Sequence, residues 1–326
     1  MAVRDTLLTL LENNRDRYLS GEEVAASLHV TRAAVWKAVK ALEEDGYLID
    51  ATQNRGYKLQ ADCDLLSAAG IKKFLRQDAG DLSVEAFQTV TSTNNLLRDR
   101  AVSGAHEGLI VVAGTQTDGR GRLGRSFYSP SSTGIYMSIL LRPTLPAERA
   151  VLMTTAAAVA VCEAIESVLG KTPGIKWVND VFLDGRKVCG ILTEAAFDTE
   201  NGRLRYAIVG IGVNVYAPEG GFPEPLAAVA GCVTDTREGE LRNKLAAEIL
   251  NRFLPRYYAL PGGSSAEDYR RRCFVIGQRV TVHAGDTAYS ATVLGVDDDC
   301  RLLVRRDDGR EVTLSSGEIS IRLGED

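Results

Sequence analysis

The sequence predicts an α/β multidomain protein with three parts: a winged helix-turn-helix over residues 1–62, a central mixed α/β domain over residues 63–272, and a C-terminal SH3-like β-barrel over residues 273–326. Three observations support this division. Capped helices and a hairpin pattern occupy the first part, strand-like and helix-like stretches alternate in the second, and short strands separated by turn residues fill the third. A chain of 326 residues is long enough for three domains.

The first part contains two clear helix start signals. Ser20 can cap a helix while Glu23 reaches back to it, and Thr31 can cap a second helix that ends near Gly46. The stretch that follows, YLIDATQNRGYKLQ, predicts two strands joined by a turn with Arg55 at its tip. Helices followed by a hairpin make a winged helix-turn-helix, in which the second helix of the motif enters the major groove of DNA.

The second helix of this motif carries the charge that DNA binding needs. Residues 31–42 contain three cations and no acid. The predicted DNA-binding residues are these cations and the arginine of the hairpin: Arg32, Lys37, Lys40 and Arg55. We expect Trp36 to be a half-buried packing residue. Residues 1–62 as a whole hold eight Lys and Arg against ten Asp and Glu, so a three-helix interaction module that never meets DNA is the alternative.

The second part contains a glycine-rich stretch, TQTDGRGRLGRSF, at residues 115–127. Its glycines match the G-x-G-x-x-G spacing, but a Ser- and Pro-rich segment follows where a dinucleotide fold needs a helix. Arg120, Arg122 and Arg125 lie within six positions. Glycine lets the backbone approach a ligand and arginine supplies a permanent charge, so the loop predicts binding of a carboxylate or a phosphate. A solvated hairpin turn would explain the glycines but not the three arginines.

A second motif, GIKWVNDVFLDGRKVCGILTE, occupies residues 174–194. We expect strands on both sides of its LDGRK turn, with Lys176 and Lys187 on neighbouring strands. Asn179 and Asp180 interrupt the apolar pattern. A lysine beside an apolar strand can bridge two anionic groups, although Lys187 taken alone would be an ordinary surface lysine.

Five motifs taken together resemble those of the biotin-protein ligases. They are STN at 92–94, GRGRLGR at 119–125, KWVND at 176–180, GRKVCGIL at 185–192 and GIGVNV at 210–215. Their order and spacing cover the middle region, which the resemblance identifies as a ligase domain. The N-terminal module and the C-terminal region extend the likeness to the bifunctional subgroup, which acts as a biotin-[acetyl-CoA-carboxylase] ligase and as a biotin-operon repressor.

The resemblance implies a two-step reaction. Biotin and ATP form biotinyl-5'-AMP, and the biotinyl group then passes to one lysine of an apo biotin carboxyl carrier protein. Mg²⁺ bound to the phosphates would supply further positive charge. The other implied partners are operator DNA and a second copy of the chain, in a homodimer promoted by the ligand.

The resemblance also assigns site residues. Lys187 is expected between the biotin carboxylate and the α-phosphate, and Arg120 and Arg122 belong to a loop that closes over the adenylate; these three are the expected catalytic residues. The expected biotin-binding residues are Ser92, Thr93, Asn94, Gln116, Arg120, Gly121, Arg122 and Lys187. The expected nucleotide-binding residues are Asn179, Asp180, Asn214 and Arg322.

The sequence departs from the family pattern at two positions and in one stretch. Val178 and Phe127 stand where the family usually has proline and tryptophan, and both keep an apolar or aromatic character. The stretch after Asn214 holds no tryptophan to cover the adenine, which leaves Phe222 as the candidate for that role.

Composition narrows the remaining choices. The net charge of -5 excludes a uniformly basic coat for nucleic acid. The six cysteines show no C-x-x-C spacing and the histidines are scattered, so we expect free thiols and no metal site built from protein ligands. No apolar run reaches the length of a membrane span and no signal-peptide pattern begins the chain, which predicts a cytoplasmic protein without membrane contact. Two alternatives stay open: a related lipoyl or octanoyl transferase, and a ligand-sensing DNA-binding protein without catalysis.

Overall fold

The computed structural model describes residues 3–77, 82–198, 203–284, 287–315 and 317–321. The chain forms a helical N-terminal unit with a two-stranded hairpin, a central unit built on a seven-stranded sheet, and a C-terminal five-stranded sheet. This order of units is the α/β multidomain architecture that the sequence predicts.

The N-terminal unit contains three helices and two strands: α1 (Val3–Glu12), α2 (Gly21–Leu28), α3 (Arg32–Glu44), β1 (Ile49–Thr52) and β2 (Gly56–Leu59). Both predicted caps form. Ser20 Oγ accepts a hydrogen bond from the Glu23 amide at 3.0 Å, and Thr31 Oγ1 accepts one from the Ala34 amide at 3.2 Å. Three buried side chains of α3 pack into the core as expected: Val35, Val39 and Leu42.

The expectation for Trp36 is wrong, because 55% of this residue is exposed. Trp36 lies on α3 one turn after Arg32 and one turn before Lys40, so the three share one side of the helix. The core is filled by the side that carries Val35 and Val39, which leaves the indole in solvent.

The central unit alternates helices and strands: α4 (Ala68–Phe74), β3 (Ser83–Val90), α5 (Thr93–Val102), β4 (Leu109–Gln116), β5 (Gly134–Leu141), α6 (Val151–Leu169), β6 (Gly174–Lys176), β7 (Asp180–Leu183), β8 (Arg186–Phe197), β9 (Leu204–Asn214), α7 (Leu241–Ala259) and α8 (Ala266–Arg272). The strand order is β3-β4-β5-β9-β8-β7-β6. The β3–β4 pair is parallel and the other pairs are antiparallel. Strand β7 lies between β6 and β8, so the expectation that Lys176 and Lys187 occupy neighbouring strands is wrong.

Helix α6 is the core helix of this unit. Its alanine-rich sequence is buried against the sheet and α7. Within the described residues, the segment Ala147–Leu169 is the one helix long and apolar enough to span a membrane, and 72% of its most apolar window is buried inside the protein. That burial is what a core helix requires.

The C-terminal unit contains five short strands: β10 (Arg279–Ala284), β11 (Thr287–Val296), β12 (Leu302–Arg306), β13 (Glu311–Leu314) and β14 (Glu318–Ile321). They form one antiparallel sheet in the order β13-β12-β11-β10-β14. Several hydrogen bonds join this unit to the central one, and two of them lie at or next to the KWVND segment. The Phe274 amide donates to the Ile175 carbonyl at 3.2 Å, and Trp177 Nε1 donates to the Cys300 carbonyl at 3.0 Å. These contacts fix the KWVND segment and place β14 near the central sheet.

Candidate active-site cleft

A cleft of about 560 Å³ lies between the central sheet, the glycine-rich loop and strand β14. This volume is in the range typical of small-molecule sites. Most of the predicted ligand-binding residues line it: Ser92, Thr93, Asn94, Gln116, Arg120, Gly121, Arg122, Asn179, Asp180 and Lys187. The fold therefore brings together motifs that are far apart in the sequence.

One end of the cleft is a buried polar pocket at the start of α5. Thr93 donates from its amide to Gln116 Oε1 at 2.9 Å. Asn94 Oδ1 accepts a hydrogen bond from Ser138 Oγ at 2.6 Å, while its Nδ2 donates to Glu194 Oε2 at 2.7 Å. The two amide side chains are therefore held in fixed orientations, which suits recognition of an uncharged ligand that carries both donors and acceptors.

Glycines on β9 allow the close packing around this pocket. A Cβ at Gly210 would lie 2.3 Å from Asn94 Oδ1, and a Cβ at Gly212 would lie 2.6 Å from the ring of Phe127. Both distances are shorter than nonbonded atoms tolerate. The absence of a side chain at Gly210 and Gly212 therefore leaves the space that Asn94 and Phe127 occupy. Ser92 caps α5 and is itself buried.

The glycine-rich loop is tied to two other motifs through Arg122. Its Nη1 donates to Asn179 Oδ1 at 2.9 Å, and its Nη2 donates to the Gly317 carbonyl at 3.0 Å. Arg125 forms a two-pronged ion pair with Glu318 of β14, with distances of 2.7 and 2.8 Å. The loop therefore lies over the cleft and contacts the C-terminal unit.

Arg120 has a looser arrangement than Arg122. Its Nη2 lies 3.4 Å from Asp118 Oδ2, and the side chains of Arg120 and Asp118 are 44% and 61% exposed. Gly121 has an extended backbone, and its amide donates to the Arg125 carbonyl at 2.7 Å. Arg120 is thus at the rim of the cleft, with its charge available to a ligand.

At the other end of the cleft, three charged side chains lie on three successive strands of the sheet. Lys187 Nζ on β8 lies 2.6 Å from Asp180 Oδ1 on β7. Asp180 is the register partner of Lys176 on β6, and directly paired residues of antiparallel strands place their side chains on the same face. Lysine, aspartate and lysine therefore follow one another from β8 to the edge of the sheet.

Burial and neighbouring charges change the acidity of two groups here. Burial lowers the pKa of Lys176, although the charges of Asp180 and Glu318 act in the opposite direction. Burial would raise the pKa of Glu318, but the hydrogen bonds and charge of Arg125 outweigh it and the pKa is lowered. The carboxylate of Glu318 is therefore held in its ionised form by Arg125.

Two candidates for the nucleotide side do not line the cleft, and a third lies outside the described residues. Asn214 does not line the cleft; its Nδ2 donates to the Gly231 carbonyl at 3.0 Å. Phe222 does not line it either. Arg322 lies outside the described residues. Asn214 thus supports the loop around Gly231 instead of facing the cleft directly.

Several lining residues were not anticipated from the sequence. An apolar wall is formed by Leu226, Ala228 and Val229. Its only local signal is a short apolar stretch in a proline- and glycine-rich segment, where no regular periodicity exists. Trp177 also lines the cleft, and the peptide bond between it and Val178 is cis. Glu318 enters from a strand nearly two hundred positions after the loop that it contacts.

The predicted DNA-binding residues form a separate surface on the N-terminal unit. Arg32, Lys37 and Lys40 are exposed on α3. Lys40 is paired with Glu43 on the same helix at 2.5 Å. The guanidinium of Arg55 lies over the ring of Tyr18, 4.2 Å from its centroid. The surface is therefore basic and open, and one of its four cations is partly neutralised.

The described part of the chain contains no group of three or more His, Cys, Asp or Glu side chains arranged to hold a metal ion. The KWVND motif gives the cleft two oxygen donors, the Asp180 carboxylate and the Asn179 amide oxygen, while the Glu318 carboxylate that also lines it is paired with Arg125. Such a set suits a magnesium ion that is bound mainly by phosphate oxygens and water.

Known protein families match all three units. The description "Biotin/lipoate A/B protein ligase family" covers residues 84–214. An "HTH domain" covers residues 3–58, and the "Biotin protein ligase C terminal domain" covers residues 275–322.

Individual relatives extend these matches over nearly the whole chain. The bifunctional ligase/repressor BirA of Bacillus spizizenii is 32% identical over 311 residues, which span 94% of this chain and 95% of that protein. The biotin-[acetyl-CoA-carboxylase] ligase of Mycobacterium tuberculosis is 32% identical over 235 residues, 70% of this chain and 85% of that protein. The solved biotin protein ligase from Aquifex aeolicus in complex with biotin and ATP has a TM-score of 0.61 and 26% identity, covering 74% of this chain and 98% of that chain.

Proposed function

The chain belongs to the biotin protein ligase family, and on that premise we propose that it forms biotinyl-5'-AMP from biotin and ATP and transfers the biotinyl group to one lysine of an apo biotin carboxyl carrier protein. The observation that carries this proposal is the arrangement of the cleft. A buried polar pocket lies at one end, and Lys187 stands beside Asp180 under a loop anchored by Arg122.

The polar pocket is the proposed biotin site. The ureido ring of biotin is uncharged and presents both N–H donors and a carbonyl acceptor. Thr93, Asn94 and Gln116 offer hydroxyl and amide groups of both kinds. The bond between Thr93 and Gln116 and the bond from Ser138 to Asn94 hold these groups in place. Ser92 completes the buried polar end. Phe127, which packs at Gly212, gives the apolar surface that the thiophane ring and valeryl chain require.

Lys187 serves the activation step. A carboxylate oxygen of biotin bonds to the α-phosphorus of ATP, the bond from that phosphorus to the β-bridging oxygen breaks, and the electron pair leaves with pyrophosphate. Two anions must approach each other for this to happen. The ammonium of Lys187 can neutralise both, and its effect is larger in the transition state, where charge accumulates. Asp180 positions the ammonium before the substrates arrive.

The glycine-rich loop retains the intermediate. Arg120 and Arg122 supply permanent charge toward the adenylate phosphate, and Gly121 lets the backbone approach it. In the second step the amine of the carrier lysine attacks the biotinyl carbonyl, and AMP leaves. A loop that stays closed until the carrier arrives protects the mixed anhydride from water.

The nucleotide side rests on fewer contacts. Asn179 and Asp180 are the proposed polar partners of the nucleotide and would also hold Mg²⁺, which supplies positive charge to the phosphates when bound. Asn214 is proposed to act through the loop near Gly231, and Arg322 keeps its proposed role from the family resemblance. The apolar wall described above is the proposed adenine site in place of Phe222.

The N-terminal unit is proposed to repress transcription by binding operator DNA. The cations on α3 and at Arg55 offer only a few phosphate contacts, so one copy would bind weakly. Two copies on a two-fold symmetric operator would bind far better, and we propose that biotinyl-5'-AMP promotes this homodimer. The proposal places the protein in the cytoplasm and keeps the three ranges 1–62, 63–272 and 273–326 as its domains, the last as an SH3-like barrel.

One incubation tests the enzymatic proposal. The protein is mixed with biotin, ATP labelled at the α-phosphate, Mg²⁺ and an apo biotin carboxyl carrier protein. Labelled biotinyl-5'-AMP should form without the carrier, and biotin should appear on the carrier when it is added. Parallel reactions with lipoate and octanoate in place of biotin should give no acylated carrier. Labelling from lipoate but not from biotin would contradict the proposal.

A further inference from the structure

Lys176 differs from the other cations of the cleft. Five Lys and Arg side chains line the part of the cleft that the structure describes, and four of them have a hydrogen-bond or ion-pair partner. Lys176 has neither among the described residues; the centroid of the Phe182 ring lies 5.9 Å from Nζ, and the charges of Asp180 and Glu318 act on the ammonium without forming an ion pair with it. Its ammonium is thus partly buried in the cleft, and the two nearby carboxylates are paired with Lys187 and Arg125 instead.

An ammonium in this state is suited to bind an anion. Removing a charge from water without pairing it is unfavourable, and burial does lower the pKa of Lys176. An incoming anion would restore the lost stabilisation. Because lysine carries a compact charge with three donors, phosphate oxygens are its natural partners.

The order of strands indicates which phosphates these are. Asn94, in the proposed biotin pocket, is bonded to Ser138 on β5 and to Glu194 on β8. Lys187 comes next, at the start of β8, and Asp180 and Lys176 follow on β7 and on the edge strand β6. Adjacent strands are about 4.8 Å apart, so β6 lies about 10 Å beyond β8, on the side away from the pocket.

In-line displacement then fixes the direction of the leaving group. The attacking and leaving oxygens lie on opposite sides of the phosphorus. If biotin attacks from the pocket and the α-phosphate is held at Lys187, the pyrophosphate departs toward β6. Resting on the proposed ligase function, we infer that Lys176 binds the β- and γ-phosphates of ATP and the pyrophosphate that leaves.

The surroundings of Lys176 support a binding role over a structural one. Its neighbour Trp177 is anchored through Nε1 to the Cys300 carbonyl, and Phe182 packs on Phe274 with ring centroids 5.5 Å apart. These contacts hold the strand without the ammonium. Lys176→Met keeps most of the apolar stem and removes the charge, so the fold should survive the substitution.

The test separates the two half-reactions in the full-length protein. Lys176→Met should raise the KM for ATP in adenylate formation, and the KM for pyrophosphate in the reverse reaction, by about 10- to 100-fold, which is the effect of losing a charged hydrogen bond. Transfer of biotin from pre-formed biotinyl-5'-AMP to the carrier uses no pyrophosphate and should change by less than about twofold. Lys176→Arg should restore part of the pyrophosphate dependence.

The matched control is Lys244→Met on the exposed side of α7, which should leave every constant unchanged. Equal losses in both half-reactions, or an unchanged KM for ATP and pyrophosphate, would overturn the inference. Calorimetry with magnesium pyrophosphate alone separates this inference from the proposed function. Weaker pyrophosphate binding by Lys176→Met would support the phosphate site even if the wild type made no adenylate, and equal binding by both proteins would contradict it.

Discussion

The two basic regions of this molecule use the same residue types in opposite ways. In the cleft, Lys187 is held by Asp180 and only 33% of its side chain is exposed. On α3, the cations project into solvent, and the Lys40 side chain is 51% exposed although it pairs with Glu43. The cleft holds its lysine in a partly buried ion pair, whereas α3 leaves its cations exposed to solvent.

This difference corresponds to two kinds of anionic ligand. A charge that must act on one bond at one moment gains from being fixed before the substrate binds, because no reorganisation is then needed. A charge that contacts the DNA backbone gains from an adaptable side chain, and its contribution depends strongly on salt. The cleft should therefore be sensitive to single substitutions, whereas the surface of α3 should respond gradually.

Replacing the fixed lysine should give the largest effect. We expect Lys187→Ala to lower the rate of adenylate formation by on the order of 2 to 4 kcal/mol, because the charge acts mainly in the transition state. Biotin binding should weaken much less, since the polar pocket remains. Pyrophosphate release measures the first quantity and calorimetry with biotin measures the second. Equal losses in the rate of adenylate formation and in biotin affinity would show that Lys187 only binds substrate. The cleft would then use its lysine no differently from the way α3 uses its cations.

Opening the loop should have the next largest effect. Arg122 bonds to Asn179 and to the Gly317 carbonyl, and hydrogen bonds from a charged donor contribute about 1.5 to 3 kcal/mol each at most. Arg122→Gly should therefore still make the adenylate but release it about 10- to 100-fold faster. Stopped-flow measurement of adenylate release gives this rate. Arg205→Gly, at an exposed position of β9 that does not line the cleft, is a control outside the loop. An unchanged release rate in Arg122→Gly would show that the loop is not a lid.

The functional residues within each motif could be predicted from the sequence, but the residues that contact them in the folded protein could not. Lys187, Arg122 and the STN segment belong to short stretches whose composition breaks the surrounding pattern, so they are visible locally. Strand β7 is only four residues long and follows polar residues, which hides it and leads to the wrong placement of Lys176. Glu318 reaches the loop only because two sheets meet, and no local signal records such a contact.

The fold could be predicted more completely than the site, because the signals that form helices are local in the sequence. Capping and periodicity act over a few residues, and Ser20 and Thr31 start the helices of the N-terminal unit as their neighbours predict. Trp36 shows the limit of this logic. An apolar side chain is ordinarily expected to be covered, but Trp36 is largely exposed while Val35 and Val39 of the same helix are buried.

Coupling between the cleft and the DNA-binding surface of α3 should change operator affinity by a moderate amount. Biotin and ATP together should tighten operator binding by about 1 to 3 kcal/mol, the usual size of coupling between sites, and apo carrier should reverse this by consuming the adenylate. Trp36 fluorescence can follow the binding, because Trp36 is 55% exposed on α3 whereas Trp177 is 3% exposed.

Lys37→Ala sharpens the same experiment. It should lower the slope of log affinity against log salt by about 0.9, as expected for one lost phosphate contact, and leave adenylate formation unchanged. Operator affinity that is indifferent to biotin and ATP at fixed salt would contradict the coupling and favour an N-terminal interaction module.

The smallest expected effect concerns the ion pair between Arg125 and Glu318, which combines features of both regions. Its geometry is two-pronged like a fixed site, but the Arg125 side chain is 66% exposed. Exposed pairs contribute about 1 kcal/mol or less and are screened by salt. Glu318→Gln should therefore speed adenylate release by no more than about fivefold at low salt, and the difference from wild type should shrink as salt is added.

The direction of the pKa shift of Glu318 predicts how adenylate release depends on pH. Because the pKa of Glu318 is lowered in the folded protein, the ion pair is complete above the ordinary carboxyl value and is lost as the pH falls through the lower, folded value. Wild-type release should accelerate across that acidic window, approaching the rate of Glu318→Gln, whereas the variant should lack this component. If both proteins accelerate in parallel, the acid sensitivity belongs to other carboxylates, and the loop is held by Arg122 alone.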